Sequence, residues 1–229
     1  TFLRLIAEFP KGRLTEGARR LLALTAEDEG DLETALEQYL ALNYEYDVAY
    51  YVDVFLPTER LASFVNARKD HPQHDYLLYA LGVRYMRDKR WDDARATLRQ
   101  VRTETVPPIE SNYYGKNREV IFAKEPDWDE RTVLKTSWVM QDLKSIDALE
   151  HLEKAVETAP DDEAKAEAMY QLASYQFEAD DLLFYNPAAW KGMRHWLLDD
   201  LADSGRTRFA NEEQTIFEHS QQHEGLSRA

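Results

Sequence analysis

DYLLYALGVRYMRDKRWDDARATLRQVRTETVP, residues 75–107, repeats apolar side chains three and four positions apart along two successive runs. That spacing predicts two helices, 75–89 and 91–102, each with one apolar face, folded against one another as a hairpin. Leu78, Leu81, Gly82 and Tyr85 mark the first helix, Ala94, Leu98 and Val101 the second, and Pro107 closes the unit. Gly82 and Ala94 are small where two helices cross closely, and Leu78, Tyr85 and Leu98 are large enough to fill the space around them.

The same grammar extends outward. Leu14, Ala18, Leu21, Leu22 and Leu24 predict a helix that ends near Gly30, where a left-handed residue costs little. Leu32, Ala35, Leu36, Tyr39 and Leu42 predict a second helix folding back on it. A third trace is Ala148, Leu152, Ala155 and Pro160, followed by Met169, Leu172 and Ala173 opening another helix. Between the first two units, Tyr46–Leu56 reads as an extended apolar stretch, and Pro57-Thr58 starts a short helix through Phe64 to Ala67. Asn186-Pro187 reads as a cap and first helical residue ahead of Trp190, Met193, Leu197 and Leu201. With only 8 Gly and 8 Pro in 229 residues and scarce alternation of the strand type, the fold class is all-α.

Composition narrows function by exclusion. A formal charge of −15 disfavours general affinity for nucleic acid or anionic lipid. The chain has no cysteine, which removes thiol nucleophiles and thiolate zinc sites. No apolar run approaches the roughly 20 residues that span a bilayer, so membrane insertion is not expected.

The 75–107 unit resembles the tetratricopeptide repeat, whose pattern places Trp, Leu-Gly, Tyr, Ala, Phe and Pro at these spacings; Leu78 stands for the Trp and Leu98 for the Phe. The unit at 14–42 is similar through Leu22-Ala23, Gly30, Ala35 and Tyr39. Ala35, Ala94 and Ala148 are 59 and 54 residues apart, neither a multiple of the family period of about 34, so the resemblance implies an irregular α-solenoid of four to five hairpins with insertions. The expected division is 1–105 and 129–229 as helical hairpins of one continuous solenoid, with 106–128 as a proline-rich loop. Phe2, Leu5, Ile6 and Pro10 read as the second helix of a hairpin, and 212–229 as a first helix lacking its partner, which predicts a segment of a longer protein. The Pro10-Lys11-Gly12 connector resembles those of bacterial envelope-associated members of the family.

Chemical constellations are sparse. His219 and His223 could share a helix face as metal ligands do, but no third ligand accompanies them, and no metal or cofactor is expected. His71 and His74 suit turn and capping roles, and His151 and His195 stand alone. Asp161-Asp162 follows Pro160 at a helix start, where carboxylates offset the helix dipole without any catalytic role. Asp180-Asp181 and Asp199-Asp200 have no spacing that assigns acid and base. Arg84, Arg87, Lys89, Arg90, Arg95, Arg99 and Arg102 crowd one hairpin, relieved only by Asp88, Asp92 and Asp93, either to dock an acidic partner segment or to neutralise acidic neighbouring repeats or form pairs within the hairpin. Tyr44, Tyr46, Tyr50, Tyr51 and Phe55 suit filling a gap between irregular repeats, and Tyr113, Tyr114, Phe122 and Trp128 suit filling or binding equally.

The resemblance implies a protein-binding scaffold and not an enzyme. Tyr76, Tyr79, Val83, Met86 and Arg87 form a stripe apart from the Leu78–Leu81–Tyr85 face and are expected to line a groove for a protein or peptide partner, an acidic one in view of the arginines. Where carboxylate-clamping relatives carry Lys and Asn, this chain has Arg20 and Leu24 in one unit and Tyr79 and Val83 in another, so the clamp does not transfer. The alternatives are the helical region of a larger enzyme, with a site in the insertions, or a structural subunit of an assembly.

Overall fold

A computed structural model describes residues 2–102 and 138–179, together with Asn186 and Ala189. Every element among the described residues is helical, so the chain is all-α. The 106–128 segment, His195, His219, His223, Asp199-Asp200 and the Trp190–Leu201 face lie outside them. The chain divides into two compact units, Thr1–Lys69 and Asp70–Ala229, a boundary inside the span that the sequence pattern assigns to one set of hairpins.

The first unit holds α1 (Phe2–Glu8), α2 (Thr15–Glu29), α3 (Leu32–Leu42), α4 (Glu45–Tyr50) and α5 (Thr58–Asn66). Gly30 ends α2 at φ 76°, its N–H bonding Glu27 O while Asp31 N–H reaches Ala26 O, the paired closure that only a left-handed residue permits. Asp31 then caps α3 by accepting from Thr34 N–H at 3.2 Å. The α2 face that packs is made of Thr15, Ala18, Ala23 and Ala26; Leu14 and Leu21, expected inside, are exposed. Small side chains let α2 lie close to α3, and the leucines flanking that seam are left at its margins.

The Tyr46–Leu56 stretch is helical rather than extended. α4 runs directly into a π-helical turn, Tyr51–Phe55, in which Leu56 N–H bonds Tyr51 O at 3.0 Å. The extra residue per turn shifts the register so that all of 47–53 is buried. Tyr51 packs edge-on to Tyr39 and Phe55, with ring centres 5.4 and 5.3 Å apart, and Tyr50 stacks on Phe55; Tyr39, Tyr50 and Tyr51 are buried in the core, whereas Phe55 keeps an exposed edge. α5 is held to α3 by ion pairs: Arg60 grips Glu33 with two nitrogens, and Arg68 meets Glu37 at 2.5 Å.

The second unit holds α6 (His74–Arg87), α7 (Trp91–Leu98), α8 (Trp138–Glu157) and α9 (Asp162–Ala179). Lys89, at φ 55°, turns the chain between α6 and α7, with Lys89 N–H on Met86 O and Arg90 N–H on Tyr85 O. Gly82 faces Leu98, one turn beyond Ala94: a Cβ on Gly82 would lie 2.6 Å from both Leu98 Cγ and Cδ2. Ala94 and Leu98 are fully buried. Asp161 caps α9 by accepting from Ala164 N–H at 2.8 Å, and Asn186 accepts from Ala189 N–H at 3.0 Å, both as the sequence suggests.

Gly82→Ala is expected to destabilise the second unit by about 1–3 kcal/mol through overpacking. Leu98→Ala alone should cost about 2–5 kcal/mol. The double variant should cost less than the two together, because removing Leu98 makes room for the new methyl; additive costs in urea denaturation followed by helical circular dichroism contradict this packing. In the first unit, the hydrogen bond from Arg60 holds the Glu33 carboxyl below its ordinary 4.5. A depressed carboxyl stabilises the fold above its unfolded value and loses that contribution as pH falls through the folded one. Glu33→Gln should therefore lower stability at neutral pH by up to about 1 kcal/mol, the pair being partly exposed. Its thermal melting midpoint should converge with that of the native chain in acid, below the ordinary carboxylate value.

Candidate functional site

α6 is the helix on which the sequence places a groove-lining stripe, and its surroundings decide whether that stripe can meet a partner. Residues 75, 77–83, 85 and 86 are all buried. Tyr79, Val83 and Met86 have no exposed surface, whereas Tyr76 and Arg87 are half-buried. The structure thus corrects the expectation for three of the five: Tyr79, Val83 and Met86 form interior packing and do not line an open groove. The physical reason is that α6 is apolar on both sides of Gly82. α7 takes the Leu78–Tyr85 side, and α8 approaches the other.

The contact with α8 is polar at its centre. The Tyr79 hydroxyl donates to Asp142 Oδ2 at 2.6 Å, with both side chains buried. Gln141 and Ser145 are buried beside Asp142. On α8, Asp142 takes a place in the series Val139, Asp142, Ile146, Leu149, spaced three and four apart and otherwise apolar. An acidic residue at an apolar position of a helical stripe is the signal that sequence reading passed over, for a buried carboxylate requires hydrogen-bond donors. Farther along α8, Leu149 packs with Trp91 of α7 and with Leu172 and Tyr175 of α9, so one residue joins three helices.

The described ion pairs of the arginine-rich hairpin divide between carboxylates of α8 and carboxylates of the hairpin itself. Lys89 Nζ pairs with Glu153 at 2.8 Å, and Trp91 Nε1–H donates to the other oxygen of the same carboxylate at 2.9 Å. Arg95 reaches Glu150 at 2.6 Å, Asp147 at 3.0 Å and Asp92 at 3.1 Å. The carboxylates of Glu150 and Asp147 hold its guanidinium still more firmly protonated than usual. Arg90 pairs with Asp93 at 2.8 Å, and Arg102 binds the buried Asp75 through its side chain and its backbone N–H. Arg99 is exposed. His71 Nδ1 accepts from Gln73 N–H at 3.1 Å, a turn role, and His151 is exposed on α8.

Among the described residues, no group of three or more His, Cys, Asp or Glu is placed to hold a metal, and no helix is long and apolar enough to cross a membrane. Comparison of the chain with protein-family models, with curated proteins and with solved structures returns no match.

Tyr79→Phe keeps the ring and removes one donor from a buried carboxylate. The expected loss is about 1–3 kcal/mol in urea denaturation, with helix content unchanged. A neutral substitution shows that the Tyr79–Asp142 hydrogen bond does not contribute to holding α6 on α8.

Proposed function

We propose that this chain is a protein-binding scaffold: an irregular α-solenoid of tetratricopeptide-like hairpins that holds a protein or peptide partner and carries out no chemistry of its own. The observation that carries the reading is the α6–α7 crossing. Leu78, Gly82, Tyr85, Ala94 and Leu98, the positions that carry the resemblance, are buried together, and Leu98 occupies the space that a Gly82 Cβ would need. That close approach is the packing for which the repeat pattern selects small and large residues at fixed places. The Schellman-type turns at Gly30 and Lys89 lend further support, since each reverses the chain within a few residues and so makes the hairpin.

With Tyr79, Val83 and Met86 inside, the binding face of this hairpin contracts to Tyr76 and Arg87, which retain part of their surface. Tyrosine and arginine are enriched where proteins meet, and the basic character of this hairpin favours an acidic segment. The test is affinity capture from cell extract with the immobilised chain, followed by mass spectrometry and by titration of the captured protein. Tyr76→Ala/Arg87→Ala is expected to weaken that titration at least tenfold, about 1.4 kcal/mol, at unchanged helix content. Capture insensitive to this pair removes the surface from the proposal, and failure of the chain to retain any partner removes the scaffold reading itself.

A further inference from the structure

α1 and the start of α2 border an open, shallow cleft of about 490 Å3 beside Leu5, Phe9 and Leu14, with Arg4, Glu8 and Arg13 also lining it. It is a shaped feature. Gly12 N–H bonds Phe9 O at 2.9 Å, Thr15 N–H bonds Gly12 O at 3.0 Å, and the Thr15 hydroxyl also donates to Phe9 O, so the connector fixes α1 against α2. Phe9 and Leu14 are 60% and 64% exposed there. Arg4 is paired with Glu8 at 2.7 Å, which leaves Arg13 as the remaining cationic side chain of the lining, with exposed Lys11 beside it in the connector, in a chain whose net charge is −15.

α9 carries the complementary surface. Leu172 and Tyr175 pack inward on Leu149. Met169 and Phe177, two turns or about 12 Å apart along the helix, point outward with Tyr170, at 54%, 82% and 74% exposure. Asp162, Glu163 and Glu167 flank this stripe, opposed by Lys165. Large apolar side chains presented at helical spacing on an acidic helix are the form taken by a segment that seats in an apolar groove.

We propose that copies of this chain associate head to tail, with the outward Met169–Phe177 face of α9 from one copy seated in the Phe9–Leu14 cleft of the next, steered by its acidic flank towards Lys11 and Arg13. The two surfaces differ, so the contact is heterologous and leaves an unused cleft and an unused helix face on the terminal copies. Arg13 at the rim and Lys11 in the adjoining connector face Glu163 and Glu167, where charge governs encounter and register while the apolar side chains supply the adhesion.

The test is sedimentation velocity on the full chain at concentrations up to about 1 mM, the weak end of specific association. The mass is expected to rise with concentration beyond a dimer. Raising salt from about 0.1 M to about 1 M shortens the screening length from about 10 Å to about 3 Å and should weaken the association. Leu14→Glu and Phe177→Glu, both at exposed positions, should each be monomeric when alone. Mixed, they should form a 1:1 complex and stop there, because each supplies the surface that the other lacks. Association that survives either substitution, or a mixture that stays monomeric, overturns the proposal. So does a native chain monomeric throughout; if Phe177→Glu then lowers its melting temperature, the chain's own residues cover the α9 face.

Discussion

The absent side chain at Gly82 is the constraint on which the second unit depends. With a hydrogen in place of Cβ, Leu98 enters a space that any other residue at 82 would fill, and α7 settles directly on α6. So close a crossing buries Leu78 and Tyr85 on one side and brings Ala94 and Leu98 to zero exposure. α6 has an equally apolar second side, and a helix apolar on both sides is stable in water only as a central element. On that side Asp142 of α8 meets the Tyr79 hydroxyl, and Tyr79, Val83 and Met86 have no exposed surface.

Covering that side has an electrostatic counterpart. Tyr79 brings a hydroxyl into the interior, and Asp142 meets it at 2.6 Å, so each satisfies part of the other's hydrogen-bonding capacity. At the edge of the same contact, Lys89, Trp91 and Arg95 of the α6–α7 hairpin face Asp147, Glu150 and Glu153 of α8. The local excess of base on one hairpin and of acid on the next, which looked anomalous in so acidic a chain, is an interface divided between two helices. Exposed pairs of this kind each contribute little to stability. Arg95, with its side chain only 16% exposed and three carboxylates around it, forms a small network rather than an isolated pair.

The helical plan was legible because helices announce themselves by period and by their ends. Gly30, Asp31, Pro57 and Asp161 stand where the chain turns or a helix begins, and the Leu78–Leu98 pattern named its own hairpin. Less legible was which of two apolar stripes on α6 would stay open, since periodicity reports that a face is apolar and says nothing of what covers it. Tyr79 and Arg87 looked equivalent as stripe members; one is enclosed and the other half-buried, and the Asp142 that meets Tyr79 lies more than fifty residues away in sequence. The π-helical turn after Tyr50 was hidden for a different reason: aromatic and β-branched residues in Tyr46–Leu56 have strand propensity, and tertiary burial overrode it. α2 misled through residue size, as its leucines drew the eye while its alanines make the contact.

Helical hairpins that pack through apolar faces meet a problem of register. Hairpins with similar apolar faces could stack on several neighbours, because apolar packing is non-directional and tolerates substitution of one partner by another. Directional groups discriminate. In the second unit the α6–α7 hairpin meets α8 through a buried phenol on Asp142, an indole N–H and an ammonium that share Glu153, and a guanidinium on Asp147 and Glu150. Shifting α8 by one helical turn, about 5.4 Å, would leave Asp142 buried without Tyr79 and Glu153 without Trp91. Stranded polar groups of that kind cost more than their satisfied counterparts contribute, so the polar pairs act chiefly by penalising every other arrangement. The polar side chains of this contact therefore specify where α8 sits on the α6–α7 hairpin.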